Sequence, residues 1–479
     1  MISFIFKALN YFRPVFSRSA AWVIFCMVVL GFVGAADMIG ITSFCRFFGL
    51  DENGYHSLLH FFRSSSWSLA GLSLYWEAFV FAQKKTIMVN GRMVMLGDHT
   101  YVPKDGRRMP GVVTLHQHSE TQSKPSYFRG HCWGAVGVLV GTFAAPFCLP
   151  LRLSIQQGFV HIGEDDKKKA DKLTLVTQII QMAIDIAVRN DLPGILILDA
   201  YFPAGCAFQL AASIWSIAIQ QPLLMLIVRA KKNCVAYFPV EITSDKRRGR
   251  PAIYGEKIKV MELFDHIHLF SKATCQIYGK VEEVLILSAD LLWKPAGTLI
   301  RFVLAITSRG PIILMCNDLR TEPVMIIELY CLRVRVESMF DMLKNLLGVF
   351  RYRFWTKKLP KVSRKPKKNK KLTSPAKENL PNVRLCWDAC ERFVMLGVIA
   401  LGLLQLIAIE YTDSVWGQFE GFLRTRSRAI PSERTVRIVI SNLLVSNFRS
   451  LAPTGILQKI HNRFHRKKSS QASPKPPNT

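Results

Sequence analysis

Acidic side chains are scarce in this chain of 479 residues: 34 Asp and Glu stand against 63 Lys and Arg, a formal net charge of +29. With a pI near 9.9, that imbalance points to a polyanionic partner, either nucleic acid or an anionic membrane surface. Cysteine is present eleven times but without repeating CxxC spacing. The nearest approach to a motif, Cys386 and Cys390 in "CWDAC", has no second Cys or His pair, so a tetrahedral zinc site is not expected. The thiols read as buried and reduced, as in a cytosolic protein. No cleavable signal peptide is evident, because the apolar stretch 20–36 lies far from the start and has no clear cleavage site. No internal repeat is present.

Long uninterrupted apolar runs are also few. A spanning helix needs about 20 apolar residues. Three stretches come near by content: 20–36, 132–151 and 393–409. The first and third are short, the third contains Gln405, and the second is rich in Gly and Pro and suits a buried strand and loop.

Half of the residues are apolar, enough for two or three domains with a sizeable core. Residues 1–85 read as mainly helical, with basic and aromatic residues interleaved. From about 86 short apolar runs take over. "RMVMLGDHTYV" predicts a strand ending at Asp98, and "CWGAVGVLVG" a partner strand. A helix is expected over 171–190. "GILILDAYF" predicts a short buried strand delivering Asp199, followed by an apolar helix to about Gln221, and "LLMLIVRA" a further strand. Strand-like runs then fill a stretch to about Asp318, and Pro323 opens a helix. This order predicts an α/β fold with a central mixed sheet. After Trp355, nine of the fifteen residues of "KKLPKVSRKPKKNKK" are Lys or Arg and none is acidic, so 351–380 reads as a basic linker or phosphate-binding arm. A helical region is expected over 381–465, and 466–479 is disordered in composition.

The helix after Pro323 carries "ELYCLRVRVESMFDMLK". At about 100° per residue, Tyr330, Arg333, Glu337 and Lys344 fall within one wedge of about 60°. Beside it runs an apolar stripe of Leu329, Val336, Phe340, Leu343 and Leu347. On its own the wedge suits a solvated face with an Arg–Glu i,i+4 pair. Two aspartates at strand ends, Asp98 and Asp199, alter its meaning, since α/β sheets place ligands and metals there. Two aspartates and a helix glutamate form a carboxylate set suited to Mg²⁺. Two such ions about 4 Å apart can drive phosphodiester chemistry.

The spacing Y-x2-R-x3-E-x6-K resembles the YREK signature of insertion-sequence transposases of the DDE superfamily. It stands here as Tyr330, Arg333, Glu337 and Lys344. "GDHTYVPKDGRRMPG", "ILILDAYF", "GRPAIYGEKIKV", "RFWT", "FFRSSSW" and "LRTRSRAIPSE" extend the similarity over most of the chain. Two positions depart from the pattern: Val334 stands where an aromatic residue is frequent, and Val336 where Ile is common.

The resemblance implies a ribonuclease-H-like mixed-sheet catalytic core over 86–350 with a β-rich insertion at about 240–310. Helical N- and C-terminal regions are expected to flank this core, the N-terminal one as a DNA-binding region. It implies that Asp98, Asp199 and Glu337 are catalytic and hold two Mg²⁺ or Mn²⁺ ions, while Tyr330, Arg333 and Lys344 contact DNA phosphates. The implied activity is hydrolysis at the ends of a mobile element and attack of the freed 3′-hydroxyl on target DNA. A homodimer would act in a synaptic complex on terminal inverted repeats, in the cytoplasm and on the nucleoid, with no membrane partner. Unstacking a base near the cut needs an aromatic platform, for which Trp293 stands in the insertion, though a buried core Trp reads equally well. Lys104, Arg107 and Arg108 follow the first Asp in a loop suited either to phosphate contact or to plain solvation. His99 and His131 read mainly as structural, and His116 and His118 as a surface turn. Two other readings stay open: a catalytically inactive DNA-binding remnant, and a multi-pass membrane protein spanning at 132–151 and 393–409.

Overall fold

Short apolar runs without alternation build strands covered on both faces, and five of them form the centre of this protein. The computed structural model describes residues 1–116, 126–164, 174–217, 219–240, 252–364, 372–423, 429–449 and 455–465. Strand β1 (Arg92–Pro103) runs antiparallel to β2 (Tyr127–Gly141), which pairs antiparallel with β3 (Pro146–Ile155). On its other side β1 lies parallel to β4 (Gly194–Leu198), and β4 lies parallel to β5 (Leu224–Arg229). The order across the sheet is β3-β2-β1-β4-β5. Helix α1 (Leu175–Arg189) links β3 to β4, with the Thr174 side chain accepting from the Thr177 N–H at its start. It lies so close to the sheet that a Cβ on Gly97 would meet Ile179 at 2.7 Å and Leu198 at 2.8 Å. Glycine is required there by that approach, immediately before Asp98.

Beyond β5 the β-rich stretch forms β6 (Ser271–Ile277), β7 (Lys280–Trp293), β8 (Thr298–Thr307) and β9 (Gly310–Cys316), each antiparallel to the next. Strand β9 returns to pair with β5, so this stretch continues the central sheet, which reaches thirteen strands among the described residues. Helix α2 (Pro323–Cys331) follows, with Pro323 in its first turn, and then α3 (Val334–Asp341).

Two expectations are corrected here. The helix expected to reach Gln221 covers only Gly205–Ala211, because the Ser213 hydroxyl takes the Leu210 carbonyl and Trp215–Ser216 turns into a small hairpin with Gln221–Pro222. The strand expected to end at Asp98 continues to Pro103, because β2 keeps pairing with it as far as Pro103↔Gly130.

Helices Ile2–Tyr11, Ser19–Gly34, Ile41–Phe48, Glu52–Arg63 and Leu69–Ala82 precede the sheet, and α4 (Leu380–Glu410) follows it. They share one core with the sheet. The buried Arg392 of α4 donates to the carbonyls of Phe62, Ser64 and Trp67 at 3.2, 2.6 and 3.0 Å. Trp76 donates to the Pro150 carbonyl at 2.9 Å. The fully buried Glu77 meets Arg189 at 2.9 Å and Arg152 at 3.5 Å, and burial raises its pKa against the pull of these two cations.

Among the described residues one helix, 34 residues from Lys377, is long and apolar enough to cross a membrane, and 89% of its apolar window is buried in the fold. The stretch 132–151 falls on β2 and β3, and 20–36 on the helix Ser19–Gly34, which is buried from Ala21 to Gly34. All eleven cysteines are free and eight are buried.

Helix Glu52–Arg63 begins at Asp51, whose carboxylate accepts from the Gly54 N–H at 2.9 Å. Asp51→Ala is expected to cost about 1 kcal/mol. A lowered thermal midpoint, with Asp51→Asn close to wild type, is the check.

Candidate active site: a carboxylate cluster bridged by Arg333

The parallel ladder between β1 and β4 ends at Leu96↔Ile197. Asp98 and Asp199 each follow two residues later, so the register puts them side by side where the two strands part. Asp98 keeps its antiparallel partner Ala135 in β2, while Asp199 enters a turn in which its carboxylate accepts from the Tyr201 N–H at 2.9 Å. Strand alternation turns Asp98 to the same face as Leu96.

Glu337 comes from α3, and the apolar stripe expected there is buried at all five positions: Leu329, Val336, Phe340, Leu343 and Leu347. The single helix expected after Pro323 is instead broken. At Leu332 and Arg333 the bonds tighten to i→i−3, with Leu332 N–H donating to Leu329 O and Arg333 N–H to Tyr330 O. Past Asp341 the helix widens into a π-turn over Met342–Leu346, which carries Lys344. The four residues therefore do not sit on one ideal wheel: Tyr330 ends α2, Arg333 occupies the joint, Glu337 is in α3 and Lys344 in the π-turn.

The joint places Arg333 between carboxylates. Its guanidinium lies 3.2 Å from Asp98 Oδ2 and 2.6 Å from Glu337 Oε1. Burial opposes its charge, but Asp98, Tyr330 and Glu337 hold its pKa above the ordinary value. Asp98 is pushed up to about 6 by burial, and next by repulsion from Asp199, with Arg333 opposing. Tyr330 is buried and its hydroxyl is raised to about 12 by burial, offset by Arg333 and Arg229. The Lys344 ammonium lies 5.9 Å from the centre of the Phe340 ring. Asp98, Asp199, Arg333 and Glu337 thus share one electrostatic neighbourhood, with Tyr330 at its margin.

Among the described residues no group of three or more His, Cys, Asp or Glu is placed to hold a metal ion. The donor chemistry nevertheless suits a hard divalent cation. The set is all carboxylate, Asp199 and Glu337 add to the raised proton affinity that burial gives Asp98, and a guanidinium supplies the counter-charge in this structure.

The neighbouring residues are resolved in favour of structural roles. His99 stacks on Phe202 at 5.5 Å between ring centres, and burial pulls its pKa down to about 4. His131 is fully buried, with Nδ1 2.5 Å from the Tyr352 hydroxyl and Nε2 2.8 Å from the Pro110 carbonyl. Trp293 is buried against Phe208 with ring centres 5.4 Å apart, so it offers no open platform. Lys104 is buried as well, and donates to the carbonyls of Phe350 and Tyr352 at 2.6 and 3.0 Å. His116 stands at the end of a short strand against Tyr127; His118 lies outside the described residues. Arg351, Arg353 and Trp355 fall in the stretch 351–380 that reads from the sequence only as a basic linker or phosphate-binding arm, with no individual role for any of the three. Their signal was the alternation of "RYRFW" after the signature helix.

Residues 49–274, just under half of the chain, match the family model described as DDE superfamily endonuclease. The matched region contains Asp98 and Asp199 and ends before Tyr330, Arg333, Glu337 and Lys344. No curated protein matches the chain. The similarity is to an endonuclease family of the DDE type and suggests a transposase-like nuclease.

Proposed function

We propose that this chain is a DNA transposase that binds the ends of a mobile element, cleaves them and joins the freed 3′-hydroxyls to target DNA. The observation that carries the reading is the pairing of Asp98 with Asp199 by strand register, with Glu337 joined to Asp98 through Arg333. The similarity over 49–274 supports it from an independent side. A ribonuclease-H-like core agrees with three antiparallel strands followed by two parallel ones in the order β3-β2-β1-β4-β5.

In this reading Asp98, Asp199 and Glu337 hold Mg²⁺ or Mn²⁺, two ions in all. When bound, such ions polarise the scissile phosphate and neutralise the charge that builds on it. The chain's own groups do the rest. The three carboxylates fix the reacting phosphate's position by their placement on two strands and a helix of one packed core. Arg333, already aimed at this cluster, and Lys344 one helix segment on, grip the phosphate backbone as charge-assisted donors. Tyr330 buries its ring and offers its hydroxyl beside Arg333. The helical region 1–85 carries further DNA contacts, and two copies act together on a pair of ends.

The test is a nicking assay with purified protein, Mg²⁺ and a supercoiled plasmid carrying the DNA that flanks the coding sequence. Nicked and linear products that disappear with EDTA support the reading, and equal products from an Asp98→Ala/Asp199→Ala variant overturn it. A second reading, an inactive DNA-binding remnant, draws on Arg333 filling the space between Asp98 and Glu337. It predicts end binding with no product under any divalent cation.

Lys344→Ala is expected to weaken DNA binding without changing fold. The slope of log affinity against log salt should fall by about 0.9, one phosphate contact. An unchanged slope in fluorescence anisotropy would remove Lys344 from the phosphate grip.

A further inference from the structure

A cleft of about 840 Å³ opens at the far end of β1 from the β3–β2 turn, between the loop 103–109 and the segment 350–364. Its lining carries Arg107, Arg108, Arg351, Arg353, Lys361 and Arg364, and Asp105 is the one acid among the described residues that line it. Lys104 is six residues beyond Asp98 on the same strand direction, so the cleft lies on the order of 20 Å from the carboxylates.

The segment after α3 is extended, and its burial alternates. Tyr352 and Phe354 are 1% and 2% exposed, whereas Arg351 and Arg353 are exposed and Trp355 is 53% exposed. Period-2 alternation puts Arg351, Arg353 and Trp355 on one side, about 6.6 Å apart from one to the next. The other side is anchored. Tyr352 accepts from Trp133 Nε1 at 3.1 Å and contacts His131, and Phe354 packs on Phe62 with ring centres 5.3 Å apart. The buried Lys104 ammonium lies 3.6 Å from the centre of the Tyr352 ring and holds the carbonyls of Phe350 and Tyr352. The opposite wall is tied to the same segment: Thr356 N–H donates to Arg108 O at 3.1 Å and Val362 N–H to Arg107 O at 2.9 Å. Arg63 fixes the Trp355 carbonyl at 3.3 Å. A row of cations ending in an exposed indole, held rigid from behind, is the combination that recognises a nucleic-acid single strand: phosphates on the cations and a base on the ring.

We propose that this cleft binds a single-stranded stretch of DNA, with its phosphates along Arg107, Arg108, Arg351 and Arg353 and one unpaired base stacked on Trp355. The site is distinct from the carboxylate cluster and from Lys344. It rests on the nuclease reading only in naming DNA as the ligand.

The test is fluorescence anisotropy in EDTA, so that no cleavage intervenes, with a labelled thymidine oligonucleotide and a duplex of equal length over a range of salt. Trp355→Ala is expected to lose about ten- to hundredfold in affinity for the single strand and little for the duplex, and Trp355→Phe to retain most of it. Arg351→Ala/Arg353→Ala is expected to lower the single-strand salt slope by about 1.4, two contacts at about 0.7 each, with Arg351→Lys/Arg353→Lys restoring it. Single-strand affinity and slope unchanged in both alanine variants would overturn the proposal, as would equal losses on duplex in Trp355→Ala. Because these residues are exposed, circular dichroism of the variants should match wild type. A nicking assay in parallel separates the two conclusions: lost products with intact cleft-dependent binding overturn the nuclease reading alone.

Discussion

Replacing any one of Asp98, Asp199 or Glu337 by alanine is expected to lower Mg²⁺-dependent strand cleavage by on the order of a thousandfold or more, while end binding survives. Residues that act as one catalytic unit show losses of this size when a single member is removed. The three come from different elements that are all packed into one core, so each can be shortened without unfolding the others. Glu337 is the cleanest case, because its side chain is 58% exposed and its contact is with Arg333 rather than with the core. Asp199→Ala removes an acceptor for the Tyr201 N–H and shifts the turn, so Asp199→Asn belongs beside it: it keeps an acceptor oxygen and loses the charge. If Glu337→Gln cleaves at the wild-type rate, Glu337 is not part of the catalytic set, and the Arg333–Glu337 contact is an ordinary i,i+4 helix pair.

The carboxylates were readable because their sequence neighbours leave little choice. "GILIL" is too short and too apolar for anything but a covered strand, so Asp199 had to emerge at its end. The stripe beside Glu337 fixed which face of the helix turns inward. What stayed hidden depended on partners distant in the chain. Asp98 looked like a strand terminus, but the strand's length is set by β2, whose ladder carries on through Pro103↔Gly130. The break at Leu332–Arg333 has no Gly or Pro to announce it. Lys104 is the clearest case. Its position in a basic loop suited either a phosphate contact or plain solvation, and only the return of residues 350–352, about 246 positions later, shows its ammonium committed to carbonyls. The cleft has the same origin, since its two walls meet only in three dimensions.

The position of Arg333 bears on both DNA binding and the carboxylates. A guanidinium shared by Asp98 and Glu337 opposes the burial of the Asp98 carboxylate and, after it, the repulsion from Asp199, yet it does not cancel them. Asp98 still sits well above the ordinary carboxylate range at about 6. The Asp98 carboxylate therefore works against folding at neutral pH, as groups poised for a cation generally do.

That imbalance gives a measurable stability effect in metal-free protein. The folded chain holds the Asp98 proton with a pKa of about 6, against 3.8 for an ordinary aspartate, with burial as the first cause and Asp199 as the second. A folded pKa above the unfolded one means the proton is held more tightly in the fold. The stability it contributes is fully present below about pH 4 and is lost as pH rises through about 6. Over two pKa units that amounts to about 3 kcal/mol at most, for a side chain 21% exposed. Asp98→Asn does not titrate, so in EDTA it should match wild type near pH 4 and exceed it by about 2–3 kcal/mol at pH 8 in urea unfolding. Millimolar Mg²⁺ should then close the gap by stabilising wild type and leaving Asp98→Asn nearly unchanged, because a ligand stabilises only the form that binds it. A gap independent of pH would show that Asp98 is not strained by its surroundings. A gap that follows pH but ignores Mg²⁺ would leave the strain in place and remove the metal from this site.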